Sequence, residues 1–118
     1  MSRFPQCTLP YAPPEVVRAA LDGTDIVVKP SHDIFSLGVV AYEAITQQRA
    51  LPKRDDVAQC ARGTAQYPWE LPAEQQPAAW RSSRLRPLVL PCLARNPQRR
   101  PRASAVLSAV SQLMDSEA

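Results

Sequence analysis

The sequence predicts an all-α domain, and three observations predict it. Residues Ile34 to Ile45 are apolar around almost the whole helical circumference. Two further stretches, Leu85 to Leu93 and Val106 to Met114, repeat apolar residues at helical spacing. The β-branched run Ile26-Val27-Val28 is too short to anchor a sheet by itself, and reads as an extended loop.

Taken in order, residues 1–14 carry Pro5, Pro10, Pro13 and Pro14 and are expected to be irregular. Pro14 then opens a short helix through Glu15, Val16, Val17 and Ala20, stopped at Asp22-Gly23. Ser31 is placed to cap the next helix, 31–46, with Asp33 in the first turn set favourably against the helix dipole. Its only polar interruptions between Ile34 and Ile45 are Ser36 and Glu43, so it is expected to be the buried central post of the domain. Asp55 or Asp56 caps a third helix, 55–63, closed by Gly63.

A proline-rich link follows from Tyr67 to Pro77, with Trp69 and Trp80 expected to pack it against the core. Helix 83–94 shows Leu85, Leu88, Val89, Cys92 and Leu93 on one stripe; Pro87 is tolerable in a first turn, whereas Pro91 kinks or breaks the helix. The last helix, 103–115, sets Val106, Leu107, Val110, Leu113 and Met114 on one side.

The 118 residues suit one small domain. Gly23, Gly38 and Gly63 are too far apart for any glycine-rich phosphate loop. Cys7, Cys60 and Cys92 are odd in number and widely spaced, as expected of reduced thiols in the cytoplasm, and His32 is the only histidine, so metal and thiol chemistry are not expected. The opening residues resemble no targeting signal, and no stretch is long enough to span a membrane. A net charge of +3 is too mild to imply a nucleic-acid partner. Arg81, Arg84, Arg86, Arg95, Arg99, Arg100 and Arg102 do form a cluster without acids, but no aromatic residue is interleaved after Trp80, and no nucleic-acid binding is expected.

Three patterns occur in one order: Thr8-Leu9-Pro10-Tyr11-Ala12-Pro13-Pro14-Glu15, then Ser31-His32-Asp33-Ile34-Phe35-Ser36-Leu37-Gly38-Val39, then Cys92-Leu93 with Asn96-Pro97-Gln98-Arg99-Arg100-Pro101. Together they resemble the helical C-terminal lobe of the eukaryotic protein kinase catalytic domain, from the end of the activation segment onward. The resemblance covers nearly the whole chain and about half of the family's domain, so the fold is expected to be a truncated kinase-like lobe. It implies that residues 1–15 are the substrate-docking loop and its Ala-Pro-Glu-like terminus, with Thr8, Leu9, Pro10 and Tyr11 facing the protein substrate and Thr8 favouring Ser/Thr acceptors. It also implies structural roles for Glu15 and Arg100 as a buried ion pair, and for Asp33 as acceptor of hydrogen bonds from the catalytic loop. Departures from the pattern are Cys7 before Thr8, Pro13 in place of alanine, and Arg102 at the usual Ser/Thr cap of the last helix.

Phosphoryl transfer requires a lysine on the phosphates, a glycine-rich cover, an aspartate that orients the acceptor hydroxyl, and Asp and Asn ligands for magnesium. The sole asparagine is Asn96, and Asp-Phe-Gly does not occur. Ile26-Val27-Val28-Lys29 mimics the lysine strand in the wrong place, and His32-Asp33 are adjacent residues pointing about 100° apart on a helix. No catalytic, cofactor-binding or metal-binding residue is therefore assigned; ATP and Mg²⁺ are implied for the complete family domain only. Without the helix that covers the central post in that family, about five large side chains are expected to lose their cover, at about 1.5–3 kcal/mol each, and a protein partner is expected on that face. A non-catalytic, pseudokinase-like interaction module is the alternative function.

Overall fold

The computed structural model describes residues 6–116, without the side chains of residues 6–8 and 54. A 3-10 turn, Gln6–Tyr11, leads into α1 (Pro14–Asp22). Pro14 suits the first turn because its missing N–H is one that a helix start leaves unbonded. The helix ends where Gly23 turns left-handed, at φ 69°, and Thr24 N–H returns to Ala19 O at 2.8 Å.

The post, α2, spans Pro30–Thr46 and starts one residue earlier than expected. Proline at the first helical position moves the cap to Lys29, so Ser31 lies inside the helix and does not cap it. His32 Nδ1 instead accepts the Lys29 N–H at 3.2 Å. The helix α3 (Arg54–Arg62) packs on α1, where Arg18 donates to Ala61 O at 3.0 Å and Arg62 pairs with Asp22 at 3.0 Å.

The core is aromatic. Phe35 and Tyr42 of α2 meet Tyr67 and Trp69 of the proline-rich link and Trp80 just beyond it, edge-on at centroid distances of 4.9–6.1 Å, while Tyr67 and Trp69 stack at 4.9 Å. Edge-on contact sets the positive rim of one ring on the negative face of the next. The bulky, prolyl link therefore supplies the filling that a longer helix would otherwise provide.

A separate one-turn helix, α4 (Ala78–Arg81), lies ahead of the expected single helix 83–94, which is instead two pieces: α5 (Arg86–Val89) and a 3-10 turn, Leu90–Leu93. Pro87 sits in the first turn of α5, while Pro91 cannot donate an i to i−4 bond and the chain tightens there to i to i−3. This turn crosses α2 at Gly38, where an added Cβ would lie 2.9 Å from Leu93 Cδ2 and 3.1 Å from Cys92 Cβ. The last helix, α6 (Ala103–Ser116), follows a 3-10 turn at Pro97–Arg99 and half-buries Val106, Val110 and Leu113. Leu107 and Met114, expected on the same side of the helix, are exposed.

The post is not covered all round. Ile34, Phe35, Val39 and Tyr42 are buried, but Leu37 and Val40 are 51% and 53% exposed, in line with exposed Asp33 and Ala44. The uncovered stripe thus holds two large side chains rather than five, because the link and the Leu90–Leu93 turn cover the others.

Candidate functional site

The loop before α1 is held by the two residues that interrupt the apolar surface of α2. Ser36 Oγ donates to the Tyr11 carbonyl at 2.7 Å, and the Tyr11 hydroxyl donates to Glu43 Oε1 at 2.7 Å. Seven residues apart, Ser36 and Glu43 lie on one helical face and grip Tyr11 at both ends. The second carboxylate oxygen of Glu43 accepts Ala50 N–H at 2.9 Å, fixing its own orientation. This hydrogen bond to Glu43, together with burial and the carboxylate's charge, raises the Tyr11 phenol above its usual value.

Leu9 and Pro10 then form one wall of an open groove of about 550 Å³, whose other walls include Val17, Leu21, Leu51 and Val57. Arg49, Lys53 and Asp55 stand at its edge, giving an apolar trough with a charged rim. The Thr8 side chain lies outside the described residues.

Glu15, in the first turn of α1, closes the loop's far end. Arg100 donates to it from Nη1 at 2.7 Å and from Nη2 at 2.9 Å. The same guanidinium donates to the carbonyls of Ala94, Ser31 and Arg95, so all five of its N–H groups are satisfied. It lies 5.0 Å above the Phe35 ring with a fully buried side chain. Burial alone would raise the Glu15 carboxyl, but the hydrogen bonds and charge of Arg100, with a backbone bond, outweigh it and hold the group below its ordinary range.

Asp33 is exposed in the first turn of α2, on the uncovered stripe. The Tyr11 grip is made by Ser36 and Glu43 and does not include Asp33. The structure therefore brings Leu9, Pro10, Tyr11 and Glu15 together with Arg100, and leaves Asp33 apart.

Two site features escape the sequence. Glu43 had a signal, because a carboxylate on an otherwise apolar helix demands a partner. Arg95 had none in its spacing: it donates to Glu70 Oε2 at 2.6 Å and Oε1 at 2.9 Å, to Cys60 O at 2.7 Å and to Ala65 O at 3.3 Å, beneath the Tyr67 ring. Both Arg95 and Arg100 are thus committed within the fold, while Arg81, Arg99 and Arg102 are exposed.

Gly23 and Gly63 end helices at φ 69° and 82°, and Gly38 serves the crossing with Leu93. Among the described residues, no three or more His, Cys, Asp and Glu side chains gather where they could hold a metal ion. No described helix is long and apolar enough to cross a membrane. The protein kinase domain family model matches residues 3–110, nearly the whole chain. The chain belongs to the protein kinase domain family. Its helices correspond to the C-terminal lobe of the protein kinase fold, with the Leu9–Tyr11 loop, α2 as post, and Arg100 after the Pro97–Arg99 turn. No curated protein matches the chain.

Proposed function

We propose that these 118 residues form the substrate-receiving part of a protein kinase domain and do not themselves transfer phosphate. One observation carries this: the Tyr11 loop is gripped at both ends by Ser36 and Glu43, which holds Leu9 and Pro10 rigidly over an apolar groove. A docked protein segment meets a preformed surface there, and the ordering cost of binding falls accordingly. Preference for Ser/Thr acceptors rests on the resemblance at Thr8.

In this reading no residue of the chain is assigned to ATP or Mg²⁺. The three glycines terminate helices or pack against Leu93, and acidic side chains do not cluster as metal ligands among the described residues. No phosphoryl step is assigned to this chain.

The Leu37–Val40 stripe is the surface where a protein partner would sit, since two half-exposed aliphatic side chains on a central helix are uncovered core. A partner acting there without catalysis makes the chain a regulatory module instead. A cytoplasmic setting accords with Cys60 and Cys92 as free buried thiols.

The test is a thermal-shift titration with Mg-ATP beside a phosphorylation assay using labelled ATP and a general protein acceptor. A flat titration and an unlabelled acceptor are expected. A saturable shift, or label that scales with added chain, overturns the proposal.

A further inference from the structure

His32 is the chain's single histidine, and it is buried near the start of α2, where the substrate-receiving surface does not use it. Its ring nitrogens do different work. Nδ1 accepts the Lys29 N–H at 3.2 Å, and Nε2 lies 3.8 Å from Glu15 Oε2. Only an unprotonated ring nitrogen accepts an N–H, so the imidazole is neutral and carries its proton on Nε2, toward the carboxylate. A second proton must go to Nδ1, where the Lys29 N–H already points. That proton removes the acceptor at the start of the helix.

The charges around the ring come from several elements. Glu15 of α1 favours the cation, but Arg100 already binds it at two points. Arg100, from the segment after the Pro97–Arg99 turn, and Lys29, just before α2, both oppose a further positive charge. Asp33 on α2 favours it from an exposed position, and Asp25 lines the same open cavity as His32. Burial is the largest influence, and with Arg100 and Lys29 it holds the imidazole below its ordinary value of 6.5.

We propose that His32 is an acid-sensitive latch on the first turn of α2: neutral, it ties Lys29 to the helix beside Glu15, and doubly protonated, it releases that turn. The cavity beside the ring, about 470 Å³ and walled by Ile26, Val27, Pro97 and Gln98, gives the charged ring a way out to solvent. The released turn contains Ser31, whose carbonyl accepts from Arg100 Nη1 at 3.2 Å, so the latch is mechanically joined to the Glu15–Arg100 pair. The unfolded chain takes up the proton near 6.5 and the folded chain only at lower pH. The stabilisation is therefore full above 6.5 and declines as pH falls below it.

The experiment is an NMR titration of the lone imidazole in the full chain, with hydrogen exchange of residues 29–33 followed in dilute solution from pH 7.5 to 5. Expected are a neutral ring protonated on Nε2, a midpoint below 6.5, and at least tenfold loss of exchange protection after correction for intrinsic rates. His32→Gln keeps an acceptor but cannot titrate, and its protection is expected to stay constant. A ring protonated on Nδ1 at neutral pH, a midpoint at or above 6.5, or wild-type protection that does not change overturns the latch. So does an equal loss in His32→Gln. The ring titration decides the matter without the variant, and neither readout depends on kinase function.

Discussion

Glu15 and Arg100, 85 residues apart, meet as a two-point hydrogen-bonded pair in which the arginine side chain is fully buried. Removing the carboxylate leaves a buried guanidinium two acceptors short, and removing the arginine strands the carboxylate. Arg100→Ala is expected to destabilise the chain by about 3–5 kcal/mol, read as a urea midpoint from the fluorescence of Trp69 and Trp80. An unchanged midpoint refutes a buried pair.

The same pair sets an acid limit. The Glu15 carboxyl is held below its usual 4.5, so its stabilisation is complete above that pH and is lost as pH falls through the lower folded-state value. Stability curves between pH 5 and 2 should show this loss in wild type and lack that component in Glu15→Gln. Parallel curves for the two proteins count against the assignment.

At the alkaline end, all three tyrosines, Tyr11, Tyr42 and Tyr67, have raised phenols: Tyr11 chiefly through Glu43, Tyr42 and Tyr67 through burial. Each group's stabilisation is present below 10 and is lost as pH rises through its folded value. Absorbance of phenolate is expected to rise together with loss of helical circular dichroism. A tyrosine that ionises near 10 while the fold stays intact contradicts this.

Tyr11→Phe removes the hydroxyl that Glu43 accepts, and Ser36→Ala frees the Tyr11 carbonyl. Each is expected to cost about 1 kcal/mol. The double variant is expected to cost less than their sum, because both hold one residue. Strict additivity in the denaturation midpoints would show two independent contacts.

Gly38→Val puts side-chain atoms where Leu93 and Cys92 already pack, with 2.9 Å to Leu93 Cδ2 for the Cβ alone. Overpacking of this kind costs about 1–3 kcal/mol. An equal or higher melting temperature shows that the Leu90–Leu93 turn yields freely.

Much of this lobe is legible in sequence because the signals are local. Pro14, Gly23 and Gly63 mark helix ends through backbone geometry alone, and the apolar circumference of α2 announces its place. Ser31 misleads as a cap because Pro30 already fixes the first helical residue. The break at Leu90–Leu93 is foreshadowed by Pro91, whereas the exposure of Leu107 and Met114 is not, since periodicity shows which side is apolar and not whether anything covers it. The site divides similarly. Leu9 to Tyr11, Glu15 and Arg100 are found through resemblance, but the grips of Glu43 on Tyr11 and Glu70 on Arg95 depend on tertiary distances that no local pattern encodes.

The largest rings of the interior hang on a stretch, 67–80, made only of one-turn helices and the coil between them. Coil ordinarily admits solvent and proteases first, yet here opening it would pull Tyr67, Trp69 and Trp80 out of the middle of the molecule at once. The order of disassembly is thereby inverted: α6, with no fully buried residue, peels away early, and the prolyl segment between α3 and α5 yields only when everything does.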